Sequence, residues 1–140
     1  MRPIRLVIAV AVACAALLAP SSALAQIDSV SAGNATLGPD GASLTLPLIV
    51  QCDPEFTFFG AFGDVLQRKG NRLIRGSGSV FPFPTTACTG QPQTFTMQVS
   101  NFSPFRFQNG RGTVTVTVGV QSPSSFVVQT FGPLDIRIRK

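Results

Sequence analysis

The chain has 140 residues, 11 of them Lys or Arg against 6 Asp or Glu, and contains no His, Tyr or Trp. Without histidine a Ser–His–Asp triad is excluded, and a zinc site lacks its usual nitrogen ligand. Glu55 is the only glutamate and Lys69 and Lys140 are the only lysines, so acid–base and nucleophilic catalysis have few side chains to draw on. The composition points to a non-enzymatic protein that carries no cofactor.

Met1 to Arg5 is a short positive segment, Leu6 to Ala19 is unbroken apolar sequence, and Ala23-Leu-Ala25 has the small-x-small pattern of a signal-peptidase site. The apolar run is shorter than the roughly 20 residues of a bilayer-spanning helix. Residues 1–25 therefore read as a cleaved secretory signal of alanine-rich, bacterial type, leaving 26–140 as one domain with no membrane span. Cys14 only partly fits a lipid-anchoring site, because Ala11 stands where such sites favour Leu, Val or Ile. Loss of the signal leaves nine basic residues against six acidic ones, a balance of +3, which does not by itself call for nucleic acid.

Along the rest of the chain, a first strand is expected near Asn34-Ala-Thr36, and Gly38-Pro-Asp-Gly41 reads as a turn. In Leu44-Thr-Leu-Pro-Leu-Ile-Val-Gln-Cys52 the apolar residues alternate with period two and Cys52 keeps their parity, as in a strand with one buried face. Pro47 lacks a backbone donor and suits an edge or bulge. Phe56 to Gly63 is the densest aromatic stretch. Lys69-Gly-Asn-Arg72 is either a two-residue hairpin turn or part of one long strand with a glycine bulge. Gly76-Ser-Gly-Ser79 reads as a turn. Phe81-Pro-Phe-Pro84 must be extended, and is expected to cross between sheets and deliver Cys88.

Gln93 to Ser100 alternates again, with Phe95, Met97 and Val99 inward. Asn109-Gly110 is a preferred type I′ pair, predicting a hairpin that sets Phe105 and Phe107 on the face of Val114, Val116, Val118 and Val120, with Arg106 opposite Thr113 outside. Phe126–Phe131 and Leu134–Arg139 are expected as two strands separated by a Gly132-Pro133 turn. Eight or nine short strands without helical periodicity predict an all-β, immunoglobulin-like antiparallel sandwich. Cys52 and Cys88, the two cysteines left after signal removal, are expected to form its disulfide.

Gly38-Pro-Asp-Gly-Ala-Ser-Leu-Thr-Leu-Pro-Leu-Ile-Val-Gln-Cys52, Cys88-Thr-Gly90 and the closing Ile136-Arg-Ile-Arg-Lys140 resemble small secreted actinobacterial proteins of unknown function with one β-sandwich domain. The resemblance covers nearly all of 26–140. Its motifs are structural, so it implies a fold and no catalytic residue.

Two groups of residues bear on function. Arg68, Lys69, Arg72 and Arg75 cluster in one strand region, Arg137 and Arg139 share a face of the last strand, and Arg106 adds a seventh cation. On neighbouring strands they would form a face for cell-wall polyanions or acidic glycans. The plainer alternative is that they keep edge strands soluble. Asp53, Glu55 and Asp64 are the only carboxylates that suggest a calcium site, against the plainer reading of an acidic loop. The expectation is thus a secreted or envelope-associated binding or structural module, whose partner is a cell-wall polymer or another extracellular protein. The alternative is an extracellular carrier of a small apolar ligand, in a cleft lined by the Phe56–Phe62 and Phe102–Phe107 groups.

Overall fold

The computed structural model describes residues 26–140. The signal, Cys14 and the lipid-anchor question lie outside them. Nine strands follow in order: β1 (Ile27–Ala32), β2 (Ala35–Leu37), β3 (Ser43–Cys52), β4 (Thr57–Lys69), β5 (Arg72–Val80), β6 (Thr86–Ala87), β7 (Gln93–Asn101), β8 (Gly110–Gln121) and β9 (Phe126–Arg139).

The chain is all-β and carries the expected Cys52–Cys88 disulfide. Its hydrogen bonding corrects the two-sheet picture. The ladders run β3–β7–β5–β4–β8–β9–β2 and return to β3, closing seven strands into a barrel. Alternation in a sequence shows which residues point inward; it does not show whether the outer strands of two layers bond to each other. Here they do. β3 and β7 pair from Ser43↔Ser100 to Val50↔Gln93, and β5 reaches β7 from Gly76↔Asn101 to Ser79↔Gln98.

Glycine makes the second of these contacts possible. A Cβ at Gly78 would run into the Gln98 carbonyl, and one at Gly76 would lie 2.7 Å from the Ser100 oxygen. Gly76-Ser-Gly-Ser79 is therefore the inside of a strand pressed against its neighbour, and not a turn.

The interior is filled by the residues whose alternation is visible in the sequence. Leu44, Leu46, Leu48, Val50 and Cys52 of β3 and Val114, Val116, Val118 and Val120 of β8 are all fully buried, as expected for a small barrel packed with side chains. Phe58 and Phe95 stack across it with ring centroids 3.9 Å apart. Pro47 sits where β1 ends and β2 begins. Its carbonyl accepts the Gly33 N–H, so its missing donor faces the break between those two strands.

Two further expectations are corrected. Asn109-Gly110 closes no hairpin with Phe105–Gln108, because β8 already has β4 on one edge and β9 on the other. Phe107 is nevertheless buried, held by its N–H to the Gly41 carbonyl, whereas Phe105 lies half out beneath Arg72. Gly132-Pro133 is a bulge inside one long β9, where Leu134 faces Val114 and Phe131 faces Val116, and Gly132 takes a φ of 119°. The strand expected near Asn34-Ala-Thr36 is present as β2, and β1, from Ile27, precedes it. Of the two options for Lys69–Arg72 the hairpin holds: Lys69 pairs with Arg72, with Gly70 at φ 56° in the first turn position, as type II′ demands.

Gln67 is the one polar side chain buried among the described residues. It points into the barrel end near Gln108 and acts as a substitute strand: its Oε1 accepts the Gln108 N–H at 3.0 Å and its Nε2 donates to the Gln108 carbonyl at 2.7 Å. Replacing it by leucine, Gln67→Leu, leaves that peptide unpaired and is expected to cost about 2 kcal/mol, read as a lowered urea midpoint with an unchanged slope.

Candidate functional site: the outer face of β5, β4, β8 and β9

Side chains on these four strands line up across the ladders and divide the outer face into three zones. At the end nearest the β4–β5 turn, Arg111 pairs with Arg137. Arg68 shares a shallow groove with Arg111, Leu66, Thr113 and Asp135. Strand spacing puts the backbones of Arg68, Arg111 and Arg137 in a row about 10 Å long, and Arg139 follows two residues along β9.

Among the described residues the only ion pair joins Arg106 and Asp40, at 3.8 Å and well exposed. The three guanidinia of the row thus form no ion pair, although Asp135 lies in the same groove. The Asp40 carboxyl is held below its ordinary pKa, chiefly by the Ala42 N–H that it accepts and in smaller part by Arg106.

The seven cations named from the sequence are therefore only partly gathered. Arg68 and Arg137 stand in the row, with Arg139 beside it. Lys69 and Arg72 flank the β4–β5 turn, and the Arg72 guanidinium lies 5.1 Å from the Phe105 ring centroid. Arg75 is set opposite Leu66 on β5. Arg106 occupies the loop after β7 and is engaged by Asp40. Arg111 does not stand out in the sequence, because a hairpin turn at Asn109-Gly110 makes it a turn-flanking residue. The parity of Val114 and Val116 already places it outside.

The middle zone is an open groove of about 520 Å³. Leu66 forms its floor, Phe102 and Pro133 are apolar walls, and Asp64, Arg75, Thr113 and Thr115 supply polar groups. The cleft expected for a carrier differs from this. Phe56, Phe58 and Phe107 are in the core, Phe59 and Phe62 point outward elsewhere, and only Phe102 reaches the groove.

The third zone is aromatic. A register shift between Phe58 and Gly60 reverses the inward parity along β4, so that both Phe59 and Phe62 emerge on the outside. Phe81 packs edge-on against both, at 6.0 and 5.0 Å, and Phe126 against Phe59 at 5.5 Å. Two glycines provide the floor: a side chain at Gly60 would collide with the Phe81 ring, and one at Gly119 would press on Phe126.

The three carboxylates suggested for calcium are not brought together. Asp53 accepts the Glu55 N–H in the turn before β4, while Asp64 lies along β4 opposite Ser77 and Thr115. No three potential metal-ligating side chains converge among the described residues. No helix among them is long and apolar enough to cross a membrane. Comparison with family models, curated proteins and solved structures returns no match.

Proposed function

We propose that this chain is a non-enzymatic, exported binding module that holds an anionic polymer of the cell envelope against the outer face of β4, β8 and β9. The observation that carries this reading is the row of Arg68, Arg111 and Arg137, aligned across three strands and engaged in no ion pair. Guanidinia presented in a fixed row make paired hydrogen bonds to phosphate or carboxylate oxygens, and a repeating anion offers such groups at successive positions. The Cys52–Cys88 bridge agrees with an oxidising compartment, and the sequence of residues 1–25 supplies the export signal.

Retention on purified cell wall tests the reading. The wild-type protein is expected to bind at low salt and elute as salt rises. The triple variant Arg68→Gln, Arg111→Gln, Arg137→Gln is expected to bind at least ~10-fold more weakly, since each lost charge-assisted contact is worth about 1.5–3 kcal/mol before screening. Equal retention of the two proteins would remove the row from the interaction.

The groove floored by Leu66 favours a second reading, capture of a small apolar ligand. Phe102→Ser, at an exposed wall of this groove that the arginine row does not share, should then abolish the heat of binding of such a ligand while leaving cell-wall retention intact.

A further inference from the structure

The barrel is closed unevenly. On the side away from β8, β9 is bonded only near its end, where Ala35 and Thr36 of β2 meet Ile138 and Arg139. β1 runs close by, but its ladder is with β3 and it shares none with β9. The upper half of β9, Phe126–Phe131, thus has a strand neighbour on one edge only.

Side-chain exposure marks the same gap. Val127, Gln129 and Phe131 pair with Val120, Val118 and Val116, which are fully buried. Gln129 is nonetheless exposed and Val127 and Phe131 are only half-buried. On the other face Phe126 and Val128 are 57% and 55% exposed.

Open edges are usually protected by a lysine, a proline or a bulge. Phe-Val-Val-Gln-Thr-Phe has none of these, and no charged residue occurs from Ser122 to Leu134. The bulge at Gly132-Pro133 marks where the open edge stops. What remains is about 20 Å of bare backbone, carrying apolar side chains on both faces and bordered by Phe59.

We propose that this edge pairs with the same edge of a second copy, antiparallel about a twofold axis at Val128. Charge selects this occupant and this orientation. The meeting segments are neutral, so nothing repels at the contact. The arginines gather at the opposite end of the barrel, and an antiparallel twofold turns those ends away from each other. The register follows from parity: with Val128 on the axis, Phe126 faces Thr130 and Val127 faces Gln129 of the other copy. Outer residues then meet outer residues, as a continuous sheet requires. The exposed flanks of Phe126 and Val128 are covered, and the two aromatic zones become one strip.

Sedimentation velocity on the disulfide-intact protein between about 1 and 200 µM decides the matter. A concentration-dependent dimer is expected. Val128→Lys and Val128→Glu should each weaken it at least ~10-fold, because either places two like charges at the axis. Unchanged circular dichroism and an intact disulfide will show that these exposed substitutions leave the fold alone. Hydrogen exchange should slow with concentration at the amides of Phe126–Phe131 and not in β7. The triple arginine variant should dimerise like the wild type, which separates this proposal from the polyanion reading. A monomer at every concentration overturns the proposal. So does a dimer that both Val128 variants leave intact, as capture of an unrelated strand by this edge without self-association also would.

Discussion

Replacing Cys52 and Cys88 together by alanine is expected to lower the unfolding free energy by about 3.8 kcal/mol, the chain-entropy value for a bridge between residues separated by 36 positions. Against the 5–15 kcal/mol typical of a domain this is a large share. Cys52 ends β3, while Cys88 follows β6, the two-residue strand that borrows Thr57 and Phe58 of β4. Without the bridge, that end of the barrel retains the short β6 ladder, the Cys88 N–H to the Phe56 carbonyl, the Gly90 N–H to the Cys52 carbonyl, and the Gln51 and Gln93 amides that donate to the Gly90 and Ala87 carbonyls. All of these are lost on unfolding, whereas the bridge constrains the unfolded chain as well. A melting temperature lower by about 15 °C or more, matched by the wild-type protein in reductant, is the expected reading. A drop of only a few degrees would show that the reduced chain is already constrained by its ladders.

Gly78→Ala is the second substitution with a large expected effect, about 3 kcal/mol. The added methyl meets backbone, the Gln98 carbonyl and the Val99 Cα, and not the end of a flexible side chain, so β5 must withdraw from β7. Four residue pairs then separate, from Gly76↔Asn101 to Ser79↔Gln98, and the barrel opens where it had closed. Ser77→Ala next to it, on the exposed side, should change stability by no more than about 0.5 kcal/mol. Denaturant titration compares the two, and faster amide exchange at Gln98 and Val99 in the Gly78 variant would locate the opening. Equal stabilities would mean that β5 tolerates a wider spacing than its present contact suggests.

The same glycines show where reading the sequence reaches its limit. Leu44 to Cys52, Phe95 to Val99 and Val114 to Val120 declare themselves, because period-two alternation reports burial directly and needs no knowledge of the neighbouring strand. Gly76-Ser-Gly-Ser79 has no side-chain period to report. Its short residues mean a turn when the chain is alone and close approach when a second backbone is pressed against it, and only the fold distinguishes the two. Asn109-Gly110 misleads for a related reason. Its turn chemistry is sound locally, but Gln67 and Gly41 claim Gln108 and Phe107 through contacts remote in sequence.

The candidate site was legible in the same partial way. Arg68, Arg137 and Arg139 follow from strand parity, yet their alignment with Arg111 depends on the order β4–β8–β9, which no local pattern encodes. The outward pair Phe59 and Phe62 required a bulge, one extra residue whose effect on every later side chain of β4 a sequence does not announce.

Charge is also distributed along the barrel axis. Asp28, Asp53 and Glu55 lie around the Cys52 end, whereas Arg68, Lys69, Arg72, Arg106, Arg111, Arg137, Arg139 and Lys140 lie around the other and outnumber the two acids there, Asp40 and Asp135. The two groups are separated by the length of β4, about 40 Å along the strand and less along the axis because barrel strands tilt, which gives the molecule a permanent dipole moment. Near any negatively charged surface such a distribution would experience a torque that turns the arginines toward the surface and the disulfide toward solution. With a screening length of about 8 Å at physiological salt, this alignment acts only over the last few water layers, and it vanishes in brine.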